Sequence, residues 1–220
     1  MKLIDYPPKP PRLGHSPCHW FDLPLAFALA GEVRALPPDC VYLELGSFLG
    51  AGSTMAALLA REDLQLICVD HWQGTSRTIQ HEPIGAWLLK RRDGKNVPCD
   101  FWKGRGNRLQ HFLNNTYPWR QRITPVQARI DVELLQKLSE QLPAPQLVLI
   151  DDEHQYQPVL DRLEFIHQRW PQATVLLDDC TPYFQGVQDA VWGAFERGWY
   201  ASEHSRLYHK RLMRLSPGGL

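Results

Sequence analysis

Short apolar runs punctuate this chain at regular intervals. Val41–Leu45, Leu66–Val69, Ile123–Gln127, Gln146–Ile150 and Thr174–Leu177 have the length and residue types of buried strands. Helix candidates fall around them at Leu23–Leu36, Thr54–Arg61, Val132–Gln141, Gln157–Arg169 and Gly186–Arg197. The first of these has helical spacing and stops before Pro37-Pro38. Strands that alternate with helices predict right-handed crossovers and a largely parallel, twisted sheet. Two further strand-like runs, Trp199–His204 and Arg206–Met213, are separated by almost nothing. They predict an antiparallel hairpin at the sheet edge.

Two segments depart from this rhythm. Residues 1–22 are proline-rich and aperiodic, and read as an arm lying over the domain or partly disordered. Residues 23–220 read as a single domain, within which 71–120 is too long for a simple connection. That stretch carries Trp72, Trp87, Trp102 and Trp119. Between Arg77 and Arg108 it holds eight basic residues against three acids. It reads either as a lid that holds an anionic or sugar-like acceptor, or as a helical insertion with a solvated basic face.

The most specific local signal is Tyr42–Ala60. A strand candidate ends near Glu44. Gly46, Gly50 and Gly52 follow, with Ser47 among them, and Thr54 opens a helix. Glycines at such a turn let backbone approach a ligand closely, and the helix N-terminus offers unpaired N–H groups. The next strand ends in Asp70, well placed to accept hydrogen bonds from ribose hydroxyls. The pattern predicts a site for a nucleoside-containing small molecule.

Acids also gather at two later strand ends. Asp151, Asp152 and Glu153 precede His154 after one strand, and Asp178-Asp179 follow another. If those strands are neighbours, the carboxylates converge, and their repulsion calls for protons or a cation. Oxygen-only ligands at Asp151, Asp178 and Asp179 suit Mg²⁺, or else Mn²⁺ or Ca²⁺. The plainer alternative is that some of these acids cap nearby backbone N–H groups. His154 is a candidate general base, or a surface histidine paired with a neighbouring acid.

Composition narrows the classes. The chain has 220 residues, 44% of them hydrophobic and 22% charged, which are ordinary globular values, and its net charge is zero. No global field favours nucleic acid or an anionic membrane. No apolar run approaches the roughly 20 residues of a membrane span. Cysteines at 18, 40, 68, 99 and 180 form no C-x-x-C pair, which suggests reduced thiols and a cytoplasmic setting.

Together these features resemble a class I S-adenosylmethionine-dependent methyltransferase over roughly Tyr42 to Met213. E-L-G-S-F-L-G-A-G-S-T is similar to the family's first motif. Val-Asp-His-Trp-Gln-Gly (69–74), Ile-Asp-Asp-Glu-His-Gln-Tyr (150–156) and Leu-Asp-Asp (177–179), followed by Tyr183–Val191, resemble the D-x-W-x-G, I-D-G-D-H-x-Y and D-D motifs of a small-molecule and sugar O-methyltransferase subgroup. Asp152 stands where that subgroup has glycine.

The resemblance implies a Rossmann-like, doubly wound, mostly parallel seven-stranded sheet. It implies S-adenosylmethionine held by Glu44, Gly46, Ser47, Gly50, Gly52, Thr54, Asp70, His71, Trp72, Ala128 and Asp151. Some metal-dependent members use acids at the two later strand ends, whose counterparts are Asp151, Asp178 and Asp179. Asp151 and His154 are the expected catalytic residues, and a small acceptor hydroxyl the expected target. A homo-oligomer is compatible with all of this. Two other readings remain at this point: a non-catalytic S-adenosylmethionine-binding module, and an NAD(P)-dependent dehydrogenase. The latter lacks its Tyr-x-x-x-Lys pair.

Overall fold

The computed structural model describes residues 1–11, 21, 23–73, 88–90, 96–98 and 108–218. Its central strands are buried on both faces, which is why their sequences read as continuous apolar runs. Every position is buried in β2 (Val41–Leu45) and β7 (Leu147–Ile150). β3 (Gln65–Asp70), β6 (Ile123–Gln127) and β8 (Thr174–Leu177) pair parallel with them and with one another, in the order β6-β3-β2-β7-β8.

Side chains along each strand divide between two core layers. On one face, Leu43, Leu45, Val148 and Ile150 pack with apolar residues of α4 (Val132–Gln141), α5 (Tyr156–Arg169) and α6 (Gln185–Glu196). On the other, Tyr42, Leu147 and Leu149 pack with α1 (Leu23–Arg34), α2 (Ser53–Ala60) and α3 (Arg108–Thr116). The chain builds outward from β2 through β3 to β6, then returns to place β7 on the other side of β2. Strand order therefore reverses between β2 and β7, where ligands sit in open α/β sheets.

β9 (Tyr200–Tyr208) and β10 (Leu212–Pro217) close the sheet as an antiparallel hairpin, β10 lying against β8. The turn is later than the sequence suggests. His209 (φ 50°) and Lys210 (φ 58°) both take left-handed conformations, and Arg211 N donates to Tyr208 O at 3.0 Å. That is the primed hairpin geometry, made without the glycine or asparagine that would have marked it.

The sheet has eight strands where the resemblance implies seven. The additional one is β1 (Lys2–Leu3), from the proline-rich arm, paired antiparallel with β6. Tyr6 and Thr116 share a 2.7 Å hydroxyl hydrogen bond that ties the arm to α3. Within 71–120, β4 (Leu88–Lys90) and β5 (Asn96–Pro98) form a separate two-stranded sheet, and a 3-10 segment, Tyr117–Arg122, follows α3. Most of the expected lid, with Trp87, Trp102 and every basic residue from Arg77 to Arg105 except Lys90, lies outside the described residues. Among the described residues no helix is long and apolar enough to cross a membrane.

Candidate functional site

The carboxyl ends of β2, β3, β6, β7 and β8 surround a cavity of about 1090 Å³. Ligand cavities span roughly 300–1,000 Å³, so this one has room for two partners side by side. Gly46, Ser47, Gly50, Gly52, Asp70, His71, Asp151, His154 and Asp179 all line it. The glycine loop and the acid knot thus share one rim.

The glycine loop is folded tightly. Gly46 has φ +99°, and a Cβ there would lie 2.4 Å from the Asp151 carbonyl oxygen. Its N–H donates to Val69 O at 2.9 Å, locking the turn onto β3. Phe48 is also left-handed, at φ 44°. Asp70 gathers this backbone: one oxygen accepts from Phe48 N at 2.9 Å and the other from Trp72 N at 2.6 Å. Each oxygen retains a second lone pair for a ligand hydroxyl.

Several of the residues expected at the cofactor have their side chains packed under the glycine loop. Glu44 is fully buried on the α2 side of β2 and accepts hydrogen bonds from the Tyr42 and Thr54 hydroxyls. Burial pushes its carboxyl up, against the opposing effect of the surrounding hydroxyls. Thr54 is spent on Glu44. Trp72 is 6% exposed, packs on Phe112 and donates its indole N–H to Phe48 O at 2.6 Å. Ala128 packs against the core. Glu44, Thr54 and Trp72 shape the loop from below, Ala128 N donates to Asp70 O at 3.1 Å, and Gly46, Asp70 and His71 face the cavity.

β7 and β8 are neighbours in register, so Asp151 and the Asp178-Asp179 pair do converge. Burial, together with the charges of Asp178 and Asp179, pushes Asp151 well above the usual carboxylate range. Burial raises Asp178 to about 6, with Arg211 opposing and Asp179 adding to the rise. Asp179, left-handed at φ 56°, turns its Oδ2 to His154 Nε2 at 2.9 Å. His154 stacks on Phe184, with ring centroids 4.1 Å apart.

A divalent ion does not fit the three acids as they stand. Arg211 donates Nε to Asp178 Oδ1 at 2.7 Å and Nη2 to Asp178 Oδ2 at 2.8 Å, and its Nε lies 3.0 Å from Asp179 Oδ1. Those oxygens already serve a cation. Among the described residues no group of three or more His, Cys, Asp or Glu side chains is arranged to hold a metal. The expected Mg²⁺ on Asp151, Asp178 and Asp179 finds no support in this arrangement: sequence shows three acids but not a guanidinium arriving from a hairpin 33 positions after Asp178.

Asp152 has its own partner. Its Oδ2 accepts from Arg162 Nη2 at 2.8 Å, and the same nitrogen donates to Ile130 O at 2.9 Å, tying the loops after β6 and β7 together. Burial lifts Asp152 to about 6, Arg162 opposing and Glu153 and Asp70 adding to the rise. A carboxyl whose proton is held more tightly in the fold adds stability below its unfolded value near 3.8 and loses it as pH climbs past about 6. A rise of that size corresponds to about 3 kcal/mol. The wild type should therefore gain stability relative to Asp152→Asn as pH falls from 6 toward 4, read from urea midpoints. Parallel curves for the two proteins would refute the assignment.

Sequence reasoning missed Arg211, Arg162 and the aromatic pair Tyr183–Phe184 beside His154. Only the aromatic pair carries a signal, as adjacent rings just before a helix candidate.

A family model described as a methyltransferase domain matches residues 43–180. No curated protein sequence matches at a significant level. Among solved structures, a Klebsiella pneumoniae protein provisionally described as an O-methyltransferase is similar at 16% identity, covering 92% of this chain and 84% of that one, with a TM-score of 0.58. The S-adenosylhomocysteine-bound Podospora anserina methyltransferase PaMTH1 matches at 12% identity over 88% and 78% of the two chains, TM-score 0.55. A TDP-rhamnose 3'-O-methyltransferase of calicheamicin biosynthesis matches at 20% identity over 88% and 77%, TM-score 0.52. At these identities the likeness is one of fold.

Proposed function

The chain belongs to the methyltransferase-domain family, and on that footing we propose that it transfers the methyl group of S-adenosylmethionine to a hydroxyl oxygen of a small, sugar-like acceptor. The observation that carries this reading is the His154–Asp179 pair, 2.9 Å apart, on the wall of the cavity that Gly46 and Asp70 also line. A base held by a carboxylate beside a nucleoside cradle suits deprotonation of a hydroxyl next to a bound methyl donor. The O-methyltransferases among the structural neighbours favour the same acceptor atom. The match to a methyltransferase family removes the ground for the dehydrogenase reading.

The residues fit the cofactor. Gly46 to Gly52 and the N-terminus of α2 would hold its methionine part. Asp70 would take the ribose hydroxyls on its unused lone pairs. His71 and Ala128–Ile130 would border the base, with Asp151 closing the cradle from β7. When bound, S-adenosylmethionine supplies a methyl group on a sulfonium, already activated for in-line displacement.

The chain contributes alignment and a base. With Nε2–H donated to Asp179, His154 keeps Nδ1 as its proton acceptor. His154 would take the proton of the acceptor hydroxyl at Nδ1, so that the oxygen is free to accept the methyl group the cofactor would supply. Holding nucleophile and methyl in line supplies much of the acceleration. Tyr183, 80% exposed at the cavity mouth, offers a face on which a sugar ring can stack.

Calorimetry with S-adenosylhomocysteine tests the cofactor half. The wild type should bind it, and Asp70→Ala should bind roughly 10- to 100-fold more weakly, the loss expected when hydrogen bonds to a charged group disappear. Equal affinities would remove Asp70 from the ribose. Transfer of labelled methyl to a panel of nucleotide sugars and phenols tests the acceptor half. Binding without turnover on any of them would favour a non-catalytic module.

A further inference from the structure

We infer that Arg211 is the resident cation of the acceptor end, so that the position a divalent ion would take is filled by the chain itself. The inference rests on the methyl-transfer reading only for its functional meaning, since the charge arrangement stands without it.

Three carboxylates meet where β7 and β8 end. Left bare, they would repel one another and the cost would fall on the fold. Arg211 meets Asp178 with two parallel N–H donors, at 2.7 and 2.8 Å, the forked geometry that a guanidinium provides and an ammonium does not. The same Nε reaches Asp179 Oδ1 at 3.0 Å. Asp178 Oδ1 also accepts from Asp179 N at 2.8 Å, and Asp179 Oδ2 is engaged by His154. All four oxygens of the aspartate pair are thus in use. Mg²⁺ needs a near-octahedral oxygen shell at roughly 2.0–2.1 Å. It could enter only by expelling the guanidinium.

The fold explains how Arg211 comes to be there. β10 runs antiparallel to β8, with Met213 opposite Leu177. Its leading end therefore sits at the rim where the parallel strands finish. The left-handed turn at His209-Lys210 precedes Arg211, and Cys180 N donates to Arg211 O at 2.8 Å, pinning its backbone beside the aspartates. Arg211 acts as a positioning residue. It holds Asp179 with one oxygen toward His154 and so sets the ring of the base.

The test reads ion binding rather than turnover. Mn²⁺ is titrated into the wild type and into Arg211→Ala, each saturated with S-adenosylhomocysteine, and free ion is followed by electron paramagnetic resonance. Arg211→Ala is expected to take up one Mn²⁺ at least roughly tenfold more tightly than the wild type, and added guanidinium chloride, but not urea, to release it. Arg211→Gln, which keeps most of the stem, repeats the titration should the alanine variant lose its thermal transition. A wild type that binds Mn²⁺ as tightly as the variants overturns the inference. So does a pair of variants that bind none, because the vacated position then has no affinity for a cation. Failure of the wild type to bind S-adenosylhomocysteine would instead count against the methyl-transfer reading, with the titration repeated on the ligand-free protein.

Discussion

Alanine at His154 should lower the rate of methyl transfer by roughly 10²- to 10⁴-fold, the usual contribution of a positioned general base, while S-adenosylhomocysteine binds as in the wild type. The split follows from where the ring sits. His154 is in the loop after β7, with its Nε2 on Asp179 and its face on Phe184 rather than on the glycine loop or Asp70. Removing it deletes proton acceptance but leaves the nucleoside cradle intact. Single-turnover rates with a fixed acceptor, set beside calorimetry, separate the two effects. Asp179→Asn should fall between wild type and His154→Ala, since it disturbs the tautomer and aim of the ring without removing it. A His154→Ala protein with unchanged single-turnover rate would end the role of this residue as base.

Alanine at Gly46, which combines a left-handed backbone with a backbone clash, should be among the most damaging glycine substitutions in the described residues, costing about 3 kcal/mol or more of stability and abolishing cofactor binding. Two effects add. At φ +99° an L-residue is strained wherever it has space. Here it has none: the new methyl would stand 2.4 Å from Asp151 O, 2.7 Å from Asp151 C and 3.0 Å from Asp152 N. No flexible side chain can swing aside, because the obstacle is the backbone of the adjacent strand end. That backbone is itself fixed by the Asp151 N to Leu45 O hydrogen bond at 2.8 Å. Relief requires β2 and β7 to part at the switch point, which opens the floor of the cradle. A methyl added at Gly31, within α1, would meet nothing within 4 Å. Gly31→Ala is therefore the matched control and should gain about 0.5–1 kcal/mol from helix propensity. Urea denaturation of both variants, with S-adenosylhomocysteine calorimetry, gives the comparison. A Gly46→Ala protein as stable as wild type would mean that the loop and the strand end are less closely fitted than their distances require.

Such effects define what can be read from residues in order. Strands buried on both faces announce themselves as apolar runs, so the five central strands fall within a residue or so of their expected positions. Gly46 and the acids at the ends of β7 and β8 are visible because each lies beside its strand. Features that depend on distant pairing are not. Arg162 looks like one more polar position on an amphipathic helix, and only the fold turns it inward to Asp152. Arg211 follows a turn whose His209-Lys210 core carries none of the usual turn chemistry. Glu44 is expected at the cofactor from the family resemblance, and strand alternation sends its side chain to the α2 face, which the motif alone does not show. Burial against hydroxyls rather than solvent is what lets a carboxyl rest there.

Lys2 and Leu3 have an effect out of proportion to their number. Without them the outer margin of β6 would offer its free amides and carbonyls as a template on which a foreign strand could dock. With them, Gln127 and Val126 on that margin are paired, and Ile4 N donates to Pro125 O at 3.0 Å. The proline-rich stretch beyond cannot readily extend it, since proline supplies no amide hydrogen. A stub of this kind acts as a guard against edge-to-edge aggregation while adding little to the core.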